Sequence, residues 1–534
     1  MAAAPTLPRA AVAPLDINHA ARWIILIGLM LAAVMEVLDT TIVNVALPTM
    51  AGNFGATTTE IAWVSTGYIL SNVIFLPMTA FLTGRFGRRN YLSASIIVFI
   101  VASFLCGLSH SLVELVIWRI LQGAGGAALL STAQATIRQI FPGKEQPLVQ
   151  TVFLLGIIVG PTLGPTLGGW ITDNYTWNWC FFINVPVGIA AFYMVANFLR
   201  DPPALSAVKP KADWLGIGLL AVGLGSLQYV LEEGNQDDWF QDPTILKLAV
   251  FSAITLGAMF WWQLSPRNAQ PVVDFRVLKN RDLASSLFLF VSLGFGLYGG
   301  VFIFPLLAQG VFGFSPTQTG LETLPGGIAT GVSSIVCGRV LARGKLDPRI
   351  LIFTGVAIFS LSQWKLGHLT VAAGADDVEI PLILRGLALG FLFAPINSVA
   401  FGNINPKVAQ QASGLINLAR QLGGSFGIAA LSTYLTQQIK IQRALLVENV
   451  YAGNPVVDQR LAALTQGMMA KGADAETAHR MALAALDGTV MKQAAILAYN
   501  NCWMLILGCF VLTSPAIFLL RRPKMAGPPP GDAH

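Results

Sequence analysis

Long apolar runs recur along this chain and are separated by short polar segments. A helix that crosses the hydrocarbon core of a bilayer needs about 20 mostly apolar residues. The pattern therefore predicts an all-α polytopic membrane protein with about fourteen transmembrane helices. The runs lie at 23–46, 60–83, 91–109, 113–136, 148–171, 179–199, 214–233, 244–264, 283–308, 317–341, 350–368, 381–401, 412–436 and 496–520.

Composition excludes most other classes of protein. Hydrophobic residues make up 54% of the 534 residues and charged residues only 11%, whereas a soluble domain carries about 25% charged residues. A soluble enzyme, a nucleic-acid-binding protein and a disordered chain are therefore excluded. The sequence has no Gly-x-x-x-x-Gly-Lys phosphate loop, so we do not expect ATP as the energy source, and it has no His/Cys cluster, so we expect no metal. No motif indicates a cofactor or enzymatic chemistry.

The few charges are distributed unevenly between the loops. Alternate loops carry Lys and Arg, while the intervening short loops carry acidic residues such as Asp173, Asp237 and Asp376. Because basic loops stay in the cytoplasm, the net charge of +6 reads as an orientation signal, and both termini are predicted to be cytoplasmic. A long polar insertion at 437–495 would then lie outside, and its helical periodicity predicts an amphipathic hairpin.

The two halves of the sequence resemble each other. Arg119 precedes Gly123 in the fourth run, and Arg385 precedes Gly386 in the twelfth. We predict two six-helix halves, with two extra helices inserted between them, around a cavity near the midplane. The predicted parts are a disordered cytoplasmic tail at 1–21, an N-terminal half at 22–200, a linker with two helices at 201–282, a C-terminal half at 283–520 that includes the hairpin 437–495, and a cytoplasmic tail at 521–534.

Four segments carry a resemblance to a known family. They read LDTTIVNVALP at 38–48, RILQGAGGA at 119–127, GPTLGPTLGG at 160–169 and WNWCFFINVP at 177–186. Together they resemble the fourteen-helix drug:proton antiporters of the major facilitator superfamily, the EmrB/QacA type, and the EmrB type most closely. The resemblance implies a bacterial inner membrane, amphipathic drugs and protons as cargo, and partnership with a periplasmic membrane-fusion protein and an outer-membrane channel.

The resemblance also assigns two conformational motifs. The loop after the second run keeps the family pattern at Arg85, Gly87, Arg88 and Arg89, but Gly84 replaces an Asp that latches the halves, so this latch is either weaker or rebuilt. In the fifth run, glycines every four residues give a smooth face for close packing, and prolines bend the helix. The family's antiporter motif is assigned to Gly160, Pro161, Gly164, Pro165, Gly168 and Gly169.

Five of the ionisable residues inside predicted membrane helices matter most: Glu36, Asp39, Arg119, Arg385 and Arg420. Glu322 lies just inside the tenth run. Such residues are costly and are functional candidates by default. From the rise per residue, Asp39 lies about 10 Å and Arg119 about 9 Å below the same surface. The family resemblance implies that the first and fourth helices both line the cavity. We therefore predict that the two residues pair, directly or through Gln122 or water. The pair acts either as a proton switch or as a static salt bridge.

The remaining site residues are less constrained by the sequence. Glu36 shares a helix face with Asp39, and it is either a counter-charge for cationic drugs, a second proton site or a structural acid. Arg385 and Arg420 lie beside glycines and are either packing anchors bonded to carbonyls or functional charges. The aromatic candidates Tyr68, Phe295 and Tyr298 either line a drug pocket or face lipid. The predicted substrate-binding residues are Glu36, Gln122, Asn44, Tyr68, Phe295, Tyr298 and Glu322.

The sequence thus predicts a proton-driven exporter of amphipathic toxic compounds. The alternative is an exporter of the same superfamily with another cargo, such as a siderophore, a fatty acid or a lipid. A non-transporting sensor or scaffold on the same fold is disfavoured, because buried charges lie in both halves.

Overall fold

A computed structural model of the chain describes residues 19–56, 58–141, 145–201, 213–268, 271–343, 346–402, 404, 408–451 and 453–520. All of the regular elements in these ranges are helices. The α-helices are α1 (His19–Phe54), α2 (Thr58–Phe75), α3 (Thr79–Phe86), α4 (Arg88–Leu108), α5 (Leu112–Ile140), α6 (Gln146–Asn174), α7 (Trp179–Phe182), α8 (Asn184–Phe198), α9 (Trp214–Glu233), α10 (Pro243–Leu264), α11 (Arg281–Gly310), α12 (Pro316–Ala342), α13 (Pro348–Leu366), α14 (Ala375–Gly402), α15 (Ala409–Val447), α16 (Pro455–Ala470) and α17 (Ala475–Thr513).

The predicted all-helical membrane fold is confirmed. Eleven helical segments of the described residues are long and apolar enough to cross a membrane. The predicted runs at 148–171, 350–368 and 412–436 fold as α6, α13 and α15, which are not among those eleven. The predicted tails at 1–21 and 521–534 lie outside the described residues, except for 19–21.

Two of the predicted spans contain a break in the helix. The second run divides into α2, a 3₁₀ turn at Leu76–Met78 and α3, because Pro77 has no backbone N–H to donate. The sixth run divides at Ile183 into α7 and α8. In both cases the apolar pattern predicts the length of the span but not the break within it.

The long insertion at 437–495 is helical, as predicted, and contains one helix that was not predicted. Helix α15 continues to Val447, and α17 begins at Ala475. Between them α16 packs against α17. An exposed ion pair, 2.8 Å from Arg443 Nη2 to Asp487 Oδ1, joins the extensions of α15 and α17.

The helix pairs of the two halves repeat. Helix α1 packs against α6, as α11 packs against α15, while α5 packs against both α2 and α4, as α14 packs against both α12 and α13. The inserted helix α9 packs against α10, against α2 of the first half and against α15 of the second. We call the end of the bundle that carries Arg85 and Arg138 the basic end, and the end that carries Asp173 and Asp376 the acidic end.

The halves meet at the basic end through hydrogen bonds between α5 and α15. Ser413 Oγ donates to the carbonyl of Ser131 at 2.8 Å, and Asn417 Nδ2 donates to Gln134 Oε1 at 3.0 Å. Nearby, the guanidinium of Arg138 donates to the carbonyl of Phe401 at 2.6 Å. Each of these bonds joins one half to the other, so they close the basic end.

The halves also meet at the acidic end, where α6 packs against α12. The contact depends on a glycine, because a Cβ added at Gly320 would lie 2.8 Å from Cα of Thr166. The halves are therefore in contact at both ends of the bundle in this structure.

The basic loop at 84–89 is held by a residue that sequence reasoning missed. Gly87 has φ of 84°, which a residue with a Cβ rarely adopts, and it ends α3. The carboxylate of Asp201, just after α8, accepts hydrogen bonds from the backbone N–H of Arg88 at 2.9 Å and of Arg89 at 3.0 Å. The loop is thus anchored within the first half by a helix cap on α4.

Replacing Asp201 with Ala should destabilise the protein by about 1 kcal/mol, because two N–H groups at the start of α4 lose their acceptor. The apparent melting temperature of the purified protein measures this effect. Asp201→Asn keeps an acceptor oxygen and is the matched control, with a smaller expected loss. Equal losses for both variants would contradict the capping role.

Candidate functional site

Asp39 of α1 is the centre of a fully buried polar network. Its Oδ2 lies 2.5 Å from Nη1 of Arg119 in α5. Its Oδ1 accepts hydrogen bonds from Gln122 Nε2 and from Asn184 Nδ2, both at 2.9 Å. None of these four side chains is more than 1% exposed. The predicted contact between Asp39 and Arg119 is therefore present and direct, and Asn184 of α8 is a member of the network that the sequence did not reveal.

Arg119 is held on every side. Its Nη1 also donates to Gln122 Oε1 at 2.7 Å, and its Nε donates to the carbonyl of Val64 at 2.9 Å. Its guanidinium carbon lies 4.4 Å from the ring centroid of Tyr68. This close contact between α5 and α2 requires Gly123, since a Cβ there would lie 3.1 Å from the carbonyl carbon of Tyr68.

The network satisfies the conditions under which a charge pair is tolerated in a membrane interior. Each carboxylate oxygen has a donor, and the guanidinium has carboxylate, amide and carbonyl acceptors. Helices α1, α2, α5 and α8 all contribute, so any relative movement of α1 and α5 would remove the cation from the carboxylate. Breaking such a pair is costly unless another charge or a proton replaces the lost partner.

A cavity of about 170 Å³ lies beside this network and is lined by both halves; we call it the central cavity. Arg119 lines it, whereas Asp39 is not among its lining residues. The arginine therefore connects the buried carboxylate to the space between the halves. The polar and aromatic lining includes Glu36, Asn44, Ser65, Tyr68, Glu232, Tyr298, Phe302, Asn417, Arg420 and Gln421.

Glu36 faces the second half across this cavity. Its Oε2 accepts a hydrogen bond from the backbone N–H of Leu130 at 3.0 Å, and its side chain is 8% exposed. The side chains of Asn72 and Arg420 are close enough to interact with the same carboxyl. Arg420 in turn donates to Asn417 Oδ1 at 3.2 Å. A carboxylate of the first half and a guanidinium of the second thus face the same space.

Glu232 is a lining residue that the sequence reasoning missed. It belongs to the inserted helix α9, and its Oε1 accepts a hydrogen bond from Gln228 at 2.8 Å. A signal was present, because Gln228 and Glu232 are four residues apart at the end of an apolar run and so share a helix face. The inserted helix therefore contributes an acid to the cavity wall.

Of the predicted substrate-binding residues, some line the central cavity and some do not. Glu36, Asn44, Tyr68 and Tyr298 line the central cavity. Gln122 lies in the buried network, and Phe295 packs against Gly427 of α15. Glu322 is partly exposed and lies near Asp376 and Glu379 at the acidic end, and it is not among the described lining residues. The structure thus brings only part of the predicted set together.

A second cavity of about 110 Å³ adjoins the first and is lined by Arg385; we call it the arginine cavity. The two cavities share the lining residues Val37, Tyr298, Val301 and Arg420. The sequence left Arg385 and Arg420 as either packing anchors bonded to carbonyls or functional charges. Among the described hydrogen bonds, Arg420 donates to the side-chain oxygen of Asn417. Both arginines line the arginine cavity.

Comparison with known proteins identifies the family. The family model described as Major Facilitator Superfamily matches residues 29–428. The chain belongs to the major facilitator superfamily. Multidrug export protein EmrB of Escherichia coli K12 is 32% identical over 514 residues, which cover 96% of this chain and 98% of that protein. Fatty acid resistance protein FarB of Neisseria gonorrhoeae is 30% identical over 513 residues, with the same coverage of both chains.

A solved structure has the same fold. The human organic anion transporter MFSD10 (TETRAN) superposes with a TM-score of 0.57 and covers 92% of this chain and 99% of its own. Its identity of 13% makes this evidence of fold alone. Membership of the major facilitator superfamily indicates a multi-pass membrane transporter rather than an enzyme.

In this major facilitator protein, the glycine-rich motif of α6 lies against α1, next to the buried pair. Thr41 Oγ1 donates to the carbonyl of Gly160 at 3.2 Å, and a Cβ at Gly168 would lie 2.7 Å from the carbonyl oxygen of Ile42. A Cβ at Gly164 would overlap the side chain of Thr41. Thr41 is two residues from Asp39, so the α1–α6 seam and the buried pair share one stretch of α1.

Asp39→Ala should lower the melting temperature more than Arg119→Gln. Loss of the acid leaves a buried guanidinium that stays charged, whereas a carboxyl that has lost its arginine can be neutralised by a proton. Breaking a buried pair in this way costs about 3–5 kcal/mol. Thermal unfolding of both purified variants measures the difference, and the exposed Asp487→Ala is the control. A smaller loss for Asp39→Ala than for Arg119→Gln would contradict this description of the pair.

Proposed function

We propose that this chain is a proton-driven exporter of amphipathic toxic compounds in a bacterial inner membrane. The observation that carries the proposal is the buried Asp39–Arg119 pair, whose arginine also lines a cavity between the halves. Relatives with 32% and 30% identity over 96% of the chain are named for multidrug export and for fatty acid resistance. A titratable acid beside a cargo cavity is the minimum required to couple protons to transport.

The coupling follows from competition for Arg119. While the arginine holds Asp39, the carboxylate is stable without a proton. When cargo in the cavity, or a rocking movement of α5 against α1, withdraws the guanidinium, the same carboxylate becomes stable only as the protonated acid. One protonation state of Asp39 is therefore tied to one arrangement of the halves, which is the requirement for antiport.

The central cavity fits amphipathic cargo. Tyr68, Tyr298 and Phe302 supply aromatic surface, and Glu36 and Glu232 supply carboxyl groups from two different helices. Aromatic rings and carboxylates bind organic cations through stacking and charge. An exporter of another cargo, such as a siderophore, a fatty acid or a lipid, remains the alternative.

The membrane orientation is part of the proposal. We place the basic end, with Arg85 and Arg138, and both termini in the cytoplasm, following the rule that basic loops remain inside. The helical hairpin formed by α16 and the extensions of α15 and α17 then lies in the periplasm. There it is positioned to contact a membrane-fusion protein that leads to an outer-membrane channel.

Asp39→Asn should abolish uphill transport driven by a pH gradient, because an amide cannot carry a proton between the two sides. Proteoliposomes with an imposed gradient and a fluorescent cationic dye provide the measurement. Glu36→Gln should reduce dye affinity or coupling and so separates the two acids. The exposed Asp487→Asn is the matched control and should transport as the wild type does. Full gradient-driven uptake by Asp39→Asn would refute the switch.

Deleting residues 445–485 should abolish co-purification with a co-expressed periplasmic membrane-fusion protein, because the deletion removes α16 and the ends of both neighbouring helices. Transport in proteoliposomes should persist, since the cavity residues remain. The matched control is Arg443→Gln, which breaks only the exposed ion pair with Asp487 and should still co-purify. Undiminished co-purification of the deletion variant would refute docking through the hairpin.

A further inference from the structure

Arg385 is a buried cation that lines the arginine cavity and has no anionic partner among the described residues. Its side chain lies in α14, is 9% exposed and lines the arginine cavity. Among the described residues, the ion pairs are Arg119–Asp39, Arg443–Asp487 and Arg480–Glu476, and none involves Arg385. No hydrogen bond of its guanidinium is found within the described ranges either.

The walls of the arginine cavity offer no compensating charge. The described lining consists of apolar residues such as Leu297, Phe304 and Leu389, together with hydroxyl groups and a second guanidinium, that of Arg420. None of the described lining residues is an Asp or Glu. An unpaired charge in such surroundings is strongly unfavourable, and arginine cannot escape the cost by losing its proton. The site is therefore incomplete without an anion.

The internal repeat shows which partner is missing. In the first half, Arg119 of α5 is neutralised by Asp39 of α1. In the second half, Arg385 of α14 lies against α11, the counterpart of α1, but the residue that meets it is Gly300. A Cβ added at Gly300 would lie 3.0 Å from Cζ of Arg385, and residues 283–310 contain no Asp or Glu. The second half has kept the arginine and has no acid opposite it.

Arg420 differs from Arg385 in this respect. Its guanidinium interacts with Glu36 across the central cavity and bonds to Asn417. Of the two arginines, only Arg385 lacks both kinds of partner among the described residues. An added anion would therefore be stabilised more by Arg385 than by Arg420.

We propose that Arg385 binds the anionic head group of an amphipathic cargo, such as an alkyl or aryl carboxylate. A guanidinium binds a carboxylate through two parallel hydrogen bonds, and Thr323 and Thr330 line the same cavity with further donors. The apolar body of the cargo lies along Val301, Leu389 and Phe393 and extends past Tyr298 into the central cavity. This subsite rests on the proposed export function and adds to it a class of acidic cargo. The negative charge of that cargo would balance the charge of Arg385, which has no anionic partner among the described residues.

Binding of decanoate and of its uncharged methyl ester to the purified protein tests the proposal. In phosphatidylcholine nanodiscs, Arg385→Gln should weaken decanoate binding at least tenfold, or about 1.4 kcal/mol, and should leave the methyl ester unchanged. Arg385→Lys keeps the charge and should restore most of the affinity. The exposed Arg443→Gln is the matched control and should bind both probes as the wild type does.

Gly300→Asp offers a second, independent variant. It places a carboxylate opposite Arg385, as Asp39 lies opposite Arg119, so it should displace decanoate while the methyl ester still binds. Gly300→Ala controls for the added bulk and should keep a preference for decanoate. Unchanged decanoate binding by both Arg385→Gln and Gly300→Asp would overturn the proposal, as would equal losses for decanoate and its ester.

A phospholipid head group has the same anionic chemistry and is distinguished by adding phosphatidylglycerol to the nanodiscs. Competition with decanoate that depends on Arg385 would show that the anion site is real but is filled by lipid, and would overturn acidic cargo as its occupant. No competition supports the cargo. Gradient-driven transport of a cationic dye by the wild type, measured in parallel, tests the exporter function separately, because its failure would leave the binding results intact.

Discussion

The structure depends on how a small number of charges are balanced in an interior without water. Asp39 and Arg119 lie in direct contact, and Gln122 and Asn184 supply the remaining donors to the carboxylate. Because the network draws on α1, α5 and α8, it fixes the position of these helices relative to one another. A charge pair of this kind is stable only while its geometry is kept, and so it favours one arrangement of the first half over others.

Charged groups also face each other across the space between the halves. Glu36 from the first half and Arg420 from the second face each other across the central cavity, and Arg119 lines its wall. Hydrogen bonds between α5 and α15 close the basic end, while Gly320 and Thr166 are in contact at the acidic end. Cargo that enters this space meets groups of both signs, and any charge it carries shifts a balance on which the position of the helices depends. This link from local charge to helix position is how the proposed antiport would operate.

The two halves differ in the element that balances their arginine. The first half supplies its own carboxylate, whereas Arg385 in the second half lies against Gly300. The helix pairing is thus the same in both halves, but the sites differ. The first half contains a complete acid–arginine pair, and the second contains an arginine without an acid opposite it. The inserted helix α9 adds Glu232 to the wall of the central cavity.

Much of this could be predicted from the sequence. Helix positions followed from runs of apolar residues, because a bilayer admits few other spanning structures. The Asp39–Arg119 contact followed from equal depth together with the family resemblance, which implies that the first and fourth helices line the same cavity. Which side of a helix faces a cavity was not predictable, because it depends on the rotation of packed helices: Tyr298 lines the central cavity, and Phe295, three residues earlier, does not. The cap formed by Asp201, the helix α16 and the cavity-lining position of Glu232 likewise depend on contacts between distant segments.

The central claim is that Asp39 changes its protonation state when cargo occupies the cavity. Infrared difference spectra of the reconstituted protein, recorded with and without a cationic cargo, report this change directly through the carbonyl stretch of a protonated carboxyl group. The account predicts a protonated-carboxyl band that changes on cargo binding and is absent from Asp39→Asn, while Glu36→Gln retains it. A spectrum without such a band, or a band that persists unaltered in Asp39→Asn, would contradict the account.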